Sequence, residues 1–103
     1  MKQQPTTIAI VDDSPEDRET IRRYLLGDEQ SRYRIFEAED GETGLALCLK
    51  VQTDAIVLDF LLPDMDGLEF LEELKPLLDT RNLPVVMLTA QGNEAIAVQA
   101  IKS

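Results

Sequence analysis

The sequence has no histidine, no tryptophan, one cysteine, and half as many basic as acidic side chains. Without histidine there is no Ser-His-Asp or Cys-His nucleophile system, no imidazole-ligated zinc, and no phosphohistidine of the chain's own. The lone Cys48 cannot close an internal disulfide, in keeping with a reducing compartment. Ten Lys and Arg against 20 Asp and Glu leave a net charge of −10. A surface of that sign repels a phosphate backbone and argues against direct nucleic-acid binding. Long apolar runs are missing too. The stretch from Ile8 to Val11 ends at two aspartates, too short for a signal peptide or for a membrane span of roughly 20 residues. The chain therefore reads as cytoplasmic, with no membrane partner. At 103 residues it has length for one domain, covering 1–103, and one core. Its chemistry must come from carboxylates, hydroxyls, lysines and a hard metal ion.

What is present is an alternation of short apolar runs and longer amphipathic ones. Ile8-Ala9-Ile10-Val11 predicts a buried strand, after which Ser14 caps a helix that has Pro15 at its first position. Ile21, Tyr24 and Leu25 are expected on the inner face of that helix, which ends near Gly27. A second strand is expected over Tyr33 to Ala38. Asp40 then caps a helix from Gly41 to Val51, with Leu45, Cys48 and Leu49 inward. Ala55-Ile56-Val57-Leu58 predicts a third strand. A third helix carries Leu68, Phe70, Leu71 and Leu74, and closes near Pro76 to Leu78. Val85-Val86-Met87-Leu88 predicts a fourth strand, and Asn93 caps a last helix with Ile96, Val98, Ala100 and Ile101. Four βα units in a row imply a parallel sheet covered on both faces.

In such open sheets the working crevice lies at the carboxyl ends of the strands. Strand one is followed there by Asp12-Asp13, strand three by Asp59, and strand four by Thr89. Three carboxylates brought together cannot all ionise comfortably without a cation, and oxygen-only ligation suits Mg²⁺. A carboxylate can itself be a nucleophile and form an aspartyl phosphate. Taken singly, the pieces also fit plainer roles. Asp12-Asp13 would serve as a turn with acids at a helix N-terminus, and Thr89 as an ordinary strand end. Asp59 is harder to treat so, because it interrupts an otherwise apolar stretch from Ala55 to Leu62. Cys48 reads as core filler, and Asp64-Met65-Asp66-Gly67 as a turn into the third helix. That segment lacks the acid spacing of an EF-hand loop. It also lacks the strand-end position of a haloacid-dehalogenase-like phosphatase motif, which disfavours a small Mg²⁺-dependent phosphatase.

Three blocks together resemble the receiver domain of two-component response regulators: Ile10-Val11-Asp12-Asp13-Ser14, Val57 to Gly67, and Pro84 to Ala90. The resemblance spans the chain. It implies an α/β, doubly wound parallel sheet of the flavodoxin-like receiver fold, with strand order 2-1-3-4. It implies that Asp59 accepts a phosphoryl group from a sensor histidine kinase or phosphotransfer protein, the chain catalysing only its own phosphorylation and dephosphorylation. Asp12, Asp13, Asp59 and the backbone carbonyl of Leu61 would hold Mg²⁺, and Thr89 would be the switch hydroxyl. The family's fold has five strands and five helices, so the expectation is a form cut short after the fourth βα unit. The family's phosphate-contacting lysine is missing with the fifth strand, and Lys102 does not match it. The alternative is therefore a receiver-like binding or oligomerisation module that is not phosphorylated in this form. Gly44 departs from the family's usual alanine, at about 1 kcal/mol of helix propensity. One helix on one face cannot cover four strands, and Val85 to Leu88 would form an unblunted edge. A homo-oligomer through the exposed fourth strand or the bare sheet face is the resulting expectation.

Overall fold

The computed structural model describes residues 5–27, 32–88 and 95–98. The elements run β1 (Thr6–Val11), α1 (Pro15–Leu26), β2 (Tyr33–Ala38), α2 (Gly41–Lys50), β3 (Ala55–Asp59), α3 (Gly67–Arg81), β4 (Val85–Leu88) and β5 (Ala95–Val98). β1 lies between β2 and β3 and pairs with both in parallel; β3 pairs in parallel with β4. The four parallel strands thus stand in the expected order 2-1-3-4. Because side chains alternate across a strand, each strand feeds two layers. Ala9 and Val11, Ile56 and Leu58, and Val85 and Met87 pack with Cys48, Phe70 and Leu74 from α2 and α3 in the main core. Ile8 and Ile10 are buried on the opposite face, where α1 lies over β1 and β2.

The helix caps are local chemistry. Ser14 accepts the Asp17 N–H at the start of α1, with Pro15 at the first helical position. Asp40 accepts the Thr43 N–H at the start of α2. At α3 a full capping box forms: Asp66 accepts from Glu69 N–H, and the Glu69 carboxylate accepts from Asp66 N–H, each at 2.9 Å. Asn82, in the left-handed region at φ 52°, ends α3.

Four expectations require correction. The segment after β4 is not a helix: Ala95–Val98 is a strand, antiparallel to β4 with Val85 opposite Val98. Its alternation of alanine with β-branched residues suits a strand as well as a helix, and the free backbone groups along β4 decide between them. β4 is therefore not the sheet edge, and pairing of two chains along the fourth strand is closed off by the chain itself. Being antiparallel, β5 is also not the fifth strand that the resemblance implies, and no fourth helix or Asn93 cap falls within the described residues. Second, α3 runs through Pro76 to Arg81 instead of closing there. Pro76 is exposed, and half-buried Leu77 and Leu78 pack the last turns against the core. Third, Tyr24 points outward, 83% exposed. Arg18, Ile21, Arg22 and Leu25 form the inner row of α1, the arginines drawn in by Glu37. Fourth, Leu49 is 71% exposed, because α2 buries the row Gly41, Gly44 and Cys48.

Candidate functional site

The crossing of the chain from β2 back to β3 on the far side of β1 sets the carboxyl ends of β1 and β3 side by side. Val11 pairs with Leu58, so Asp12 and Asp13 follow one strand where Asp59 ends its neighbour. Carboxylate oxygens of Asp12, Asp13 and Asp59 all lie within 4.8 Å of one another. Asp12 is only 3% exposed, Asp59 is half-buried, and Asp13 is open to solvent. Leu61, two residues past Asp59, is exposed. Leu88 lies opposite Asp59 in the β3–β4 register, and the next residue, Thr89, falls outside the described residues.

Burial and mutual repulsion set the electrostatics. Desolvation is the first reason that the Asp59 carboxyl is pushed up to about 6; the charges of Asp12 and Asp13 add to it, and the Leu61 N–H draws it back. Asp12 is likewise raised, first by burial, against the Ser14 N–H that its Oδ1 accepts at 2.9 Å. The neighbouring charges of Asp17 and Asp13 also raise it, while Arg18 lowers it. A cluster with these properties is short of positive charge. Its donors are carboxylate oxygens alone, which suits a hard divalent cation such as Mg²⁺ and not a thiolate- or imidazole-seeking metal.

Two supporting residues were not among the expected site residues. Arg18, 17% exposed, donates from Nη1 to the Asp12 carbonyl at 2.7 Å and from Nε to Glu37 at 2.9 Å, so it clamps the β1–α1 turn to β2. A cation near the positive end of a helix runs against the dipole, and that was the sequence signal for a specific partner. Asp64, read as a turn residue, accepts the N–H groups of Gly41 at 2.8 Å and Glu42 at 2.9 Å, and these bonds hold its carboxyl below the usual range. Nothing in local spacing announces a contact across 22 and 23 positions.

Residues 8–103 match the family model described as the response regulator receiver domain. The chain belongs to that family. It is 37% identical over 98 residues to the transcriptional regulatory protein ResD of Bacillus subtilis (strain 168), covering 95% of this chain and 38% of that protein. It is 32% identical over 96 residues to the cyclic di-GMP phosphodiesterase response regulator RpfG of Xanthomonas campestris pv. campestris (strain 8004), covering 93% of this chain and 25% of that one. The receiver chain thus spans well under half the length of these curated relatives. Among solved structures it resembles the Vibrio cholerae chemotaxis protein CheY4, with a TM-score of 0.74, 28% identity, and coverage of 85% of this chain and 71% of that one. It also resembles the MaeR response regulator bound to beryllium trifluoride, with a TM-score of 0.73, 26% identity, and coverage of 84% and 69%. The flavodoxin-like receiver fold is thereby established for this chain, as a receiver domain of two-component response regulators. Among the described residues no helix is long and apolar enough to cross a membrane.

Proposed function

We propose that this receiver takes a phosphoryl group on Asp59 from a sensor histidine kinase or phosphotransfer protein in the cytoplasm. The observation that carries the reading is the gathering of Asp12, Asp13 and Asp59 at the adjoining ends of β1 and β3. An Asp59 carboxylate oxygen attacks phosphorus as the phosphorus–nitrogen bond of the donor's phosphohistidine breaks. The bonding pair leaves with the imidazole, and an acyl phosphate remains on Asp59. Attack needs the ionised carboxylate. With its pKa at about 6, Asp59 is about nine-tenths ionised at pH 7. Asp12, Asp13, Asp59 and the Leu61 carbonyl would hold Mg²⁺, which supplies charge neutralisation for the transferring phosphoryl oxygens. Thr89, the residue after the Asp59-paired Leu88, would then donate its hydroxyl to the phosphoryl group as the switch residue. Self-association through the sheet face around the exposed Val86 accompanies this reading.

The test is intact-mass and peptide mass spectrometry after incubation with Mg²⁺ and acetyl phosphate. One added phosphoryl group on Asp59, absent in Asp59→Asn, is expected. An unmodified wild-type chain would favour the non-phosphorylated binding module instead.

A further inference from the structure

The loop from Phe60 to Asp66 is tied at its base and at its tip, in two different ways. At the base, Gly67 N–H donates to the Phe60 carbonyl at 2.6 Å, Leu61 bridges to Asp66, and Leu62 N–H donates to Met65 O at 3.0 Å. Phe60 N–H donates to Leu88 O at 2.9 Å, which anchors the base to β4. At the tip, Asp64 reaches across to another element. Its two carboxylate oxygens take the first two N–H groups of α2, from Gly41 and Glu42. Asp40 takes the next two, through its side chain to Thr43 and its carbonyl to Gly44. The Gly41, Glu42 and Thr43 N–H groups, which have no intrahelical partner, are therefore satisfied, two by Asp64 and one by Asp40, and the Gly44 bond is the first of the helix's own. The tip is also seated sterically. A β-carbon on Gly41 would meet Met65 Cγ at 2.5 Å, so the absence of a side chain there admits Met65.

We infer that Asp64 is a positioning residue for Asp59: by docking the loop tip on the α2 N-terminus it fixes Leu61, two residues past the acceptor. Leu61 matters twice over. Its N–H faces the Asp59 carboxylate, and its carbonyl is the backbone ligand in the phosphoacceptor reading, on which this part of the inference rests. Leu61 is 59% exposed, so its placement depends chiefly on the loop's ties. Asp40, by contrast, caps the same helix through hydrogen bonds to Thr43 and Gly44 of α2 itself. The two aspartates thus separate a helix-capping role from a loop-positioning role.

The experiment compares Asp64→Ala, Asp64→Asn and Asp40→Ala in the whole chain by three readouts. These are thermal melting, amide hydrogen exchange at Leu61 without metal, and Mg²⁺ affinity by calorimetry. Both alanine variants should melt earlier. Only Asp64→Ala should speed exchange at Leu61 and weaken Mg²⁺ binding, on the order of tenfold as for other residues that orient a ligand. Asp64→Asn offers one accepting oxygen instead of two and should fall between, which keeps the comparison readable if the alanine variant folds poorly. Unchanged Leu61 exchange in both Asp64 variants would overturn the inference, as would an equal acceleration in Asp40→Ala. A wild type that binds no Mg²⁺ would refute the phosphoacceptor reading, while metal-free exchange at Leu61 would still decide the role of Asp64.

Discussion

Gly44 on α2 sits so close over Val11 on β1 that a β-carbon there would lie 2.8 Å from Val11 Cγ1 and 2.9 Å from Cγ2. Val11 is fully buried and β-branched, so its methyls have nowhere to rotate. Gly44→Ala should gain about 1 kcal/mol of helix propensity and lose about 1–3 kcal/mol to overpacking. Net destabilisation is expected in urea unfolding. A more stable variant would mean that α2 can ride outward without cost. The glycine is therefore a packing requirement, not a weak helix position.

The acid cluster strains the metal-free fold. An aspartate raised from 3.8 to about 6 binds its proton more tightly when folded. Stability from this group is therefore greatest below pH 4, declines as pH rises to 6, and is level above. The ceiling is about 3 kcal/mol, and solvent screening reduces it to about half that. Asp59→Asn should be more stable than wild type at pH 7 without Mg²⁺, and the advantage should fade between pH 6 and 4. A pH-independent difference would contradict this.

Mg²⁺ should relieve that repulsion. Calorimetric titration should give binding in wild type and a clear loss in Asp13→Asn, which removes a ligand charge without disturbing the core. Below pH 6 binding must also displace a proton from Asp59, so affinity should fall with pH and proton uptake by the buffer should accompany it. Equal binding in the two proteins would move the ion elsewhere.

Arg18 should not tolerate lysine. Its guanidinium serves the Asp12 carbonyl and Glu37 at once, a fork that one ammonium on a thinner stem cannot reproduce. Arg18→Lys should cost about 1–2 kcal/mol of stability. It should also weaken Mg²⁺ binding, because the Asp12-Asp13 turn loses its clamp. A variant with wild-type melting and metal affinity would reduce Arg18 to a surface ion pair.

Val86 tests self-association. It is 38% exposed, on the sheet face that α1 packs against at β1 and β2. Light scattering across a micromolar dilution series should reveal association in wild type, and Val86→Glu should shift it towards monomer. A wild type that is monomeric throughout would rule this face out.

Most of the architecture could be read from the residues because the signals were local. Ser14-Pro15, Asp40 and the apolar runs of β1, β3 and β4 each specify their own element. The gathering of Asp12, Asp13 and Asp59 followed from topology, since strand ends on one side of a parallel sheet must meet. The misreadings lie where a distant partner decides. Ala95–Val98 has an ambiguous pattern, and the free backbone of β4 settled it as a strand. Pro76 is a helix breaker by rule, but the packing of Leu77 and Leu78 outweighs it. Tyr24 lost the inner face of α1 to arginines whose partner is on another strand. Asp64 could not be distinguished from a turn residue without knowing that α2 starts beside it.

The pairing of Val11 with Leu58 also governs when this chemistry can come into being. β1 and β3 are separated in the chain by two helices and a strand, so their contact is non-local and comes at the cost of closing a long loop. On a ribosome, a nascent chain that has released β1, α1, β2 and α2 carries Asp12 and Asp13 but has no acceptor beside them. The three-carboxylate cluster is complete only once β3 lies next to β1. On the proposed phosphoacceptor reading, a chain in which β1 and β3 have not paired should be silent towards a kinase, so that modification would report this pairing as well as an incoming signal.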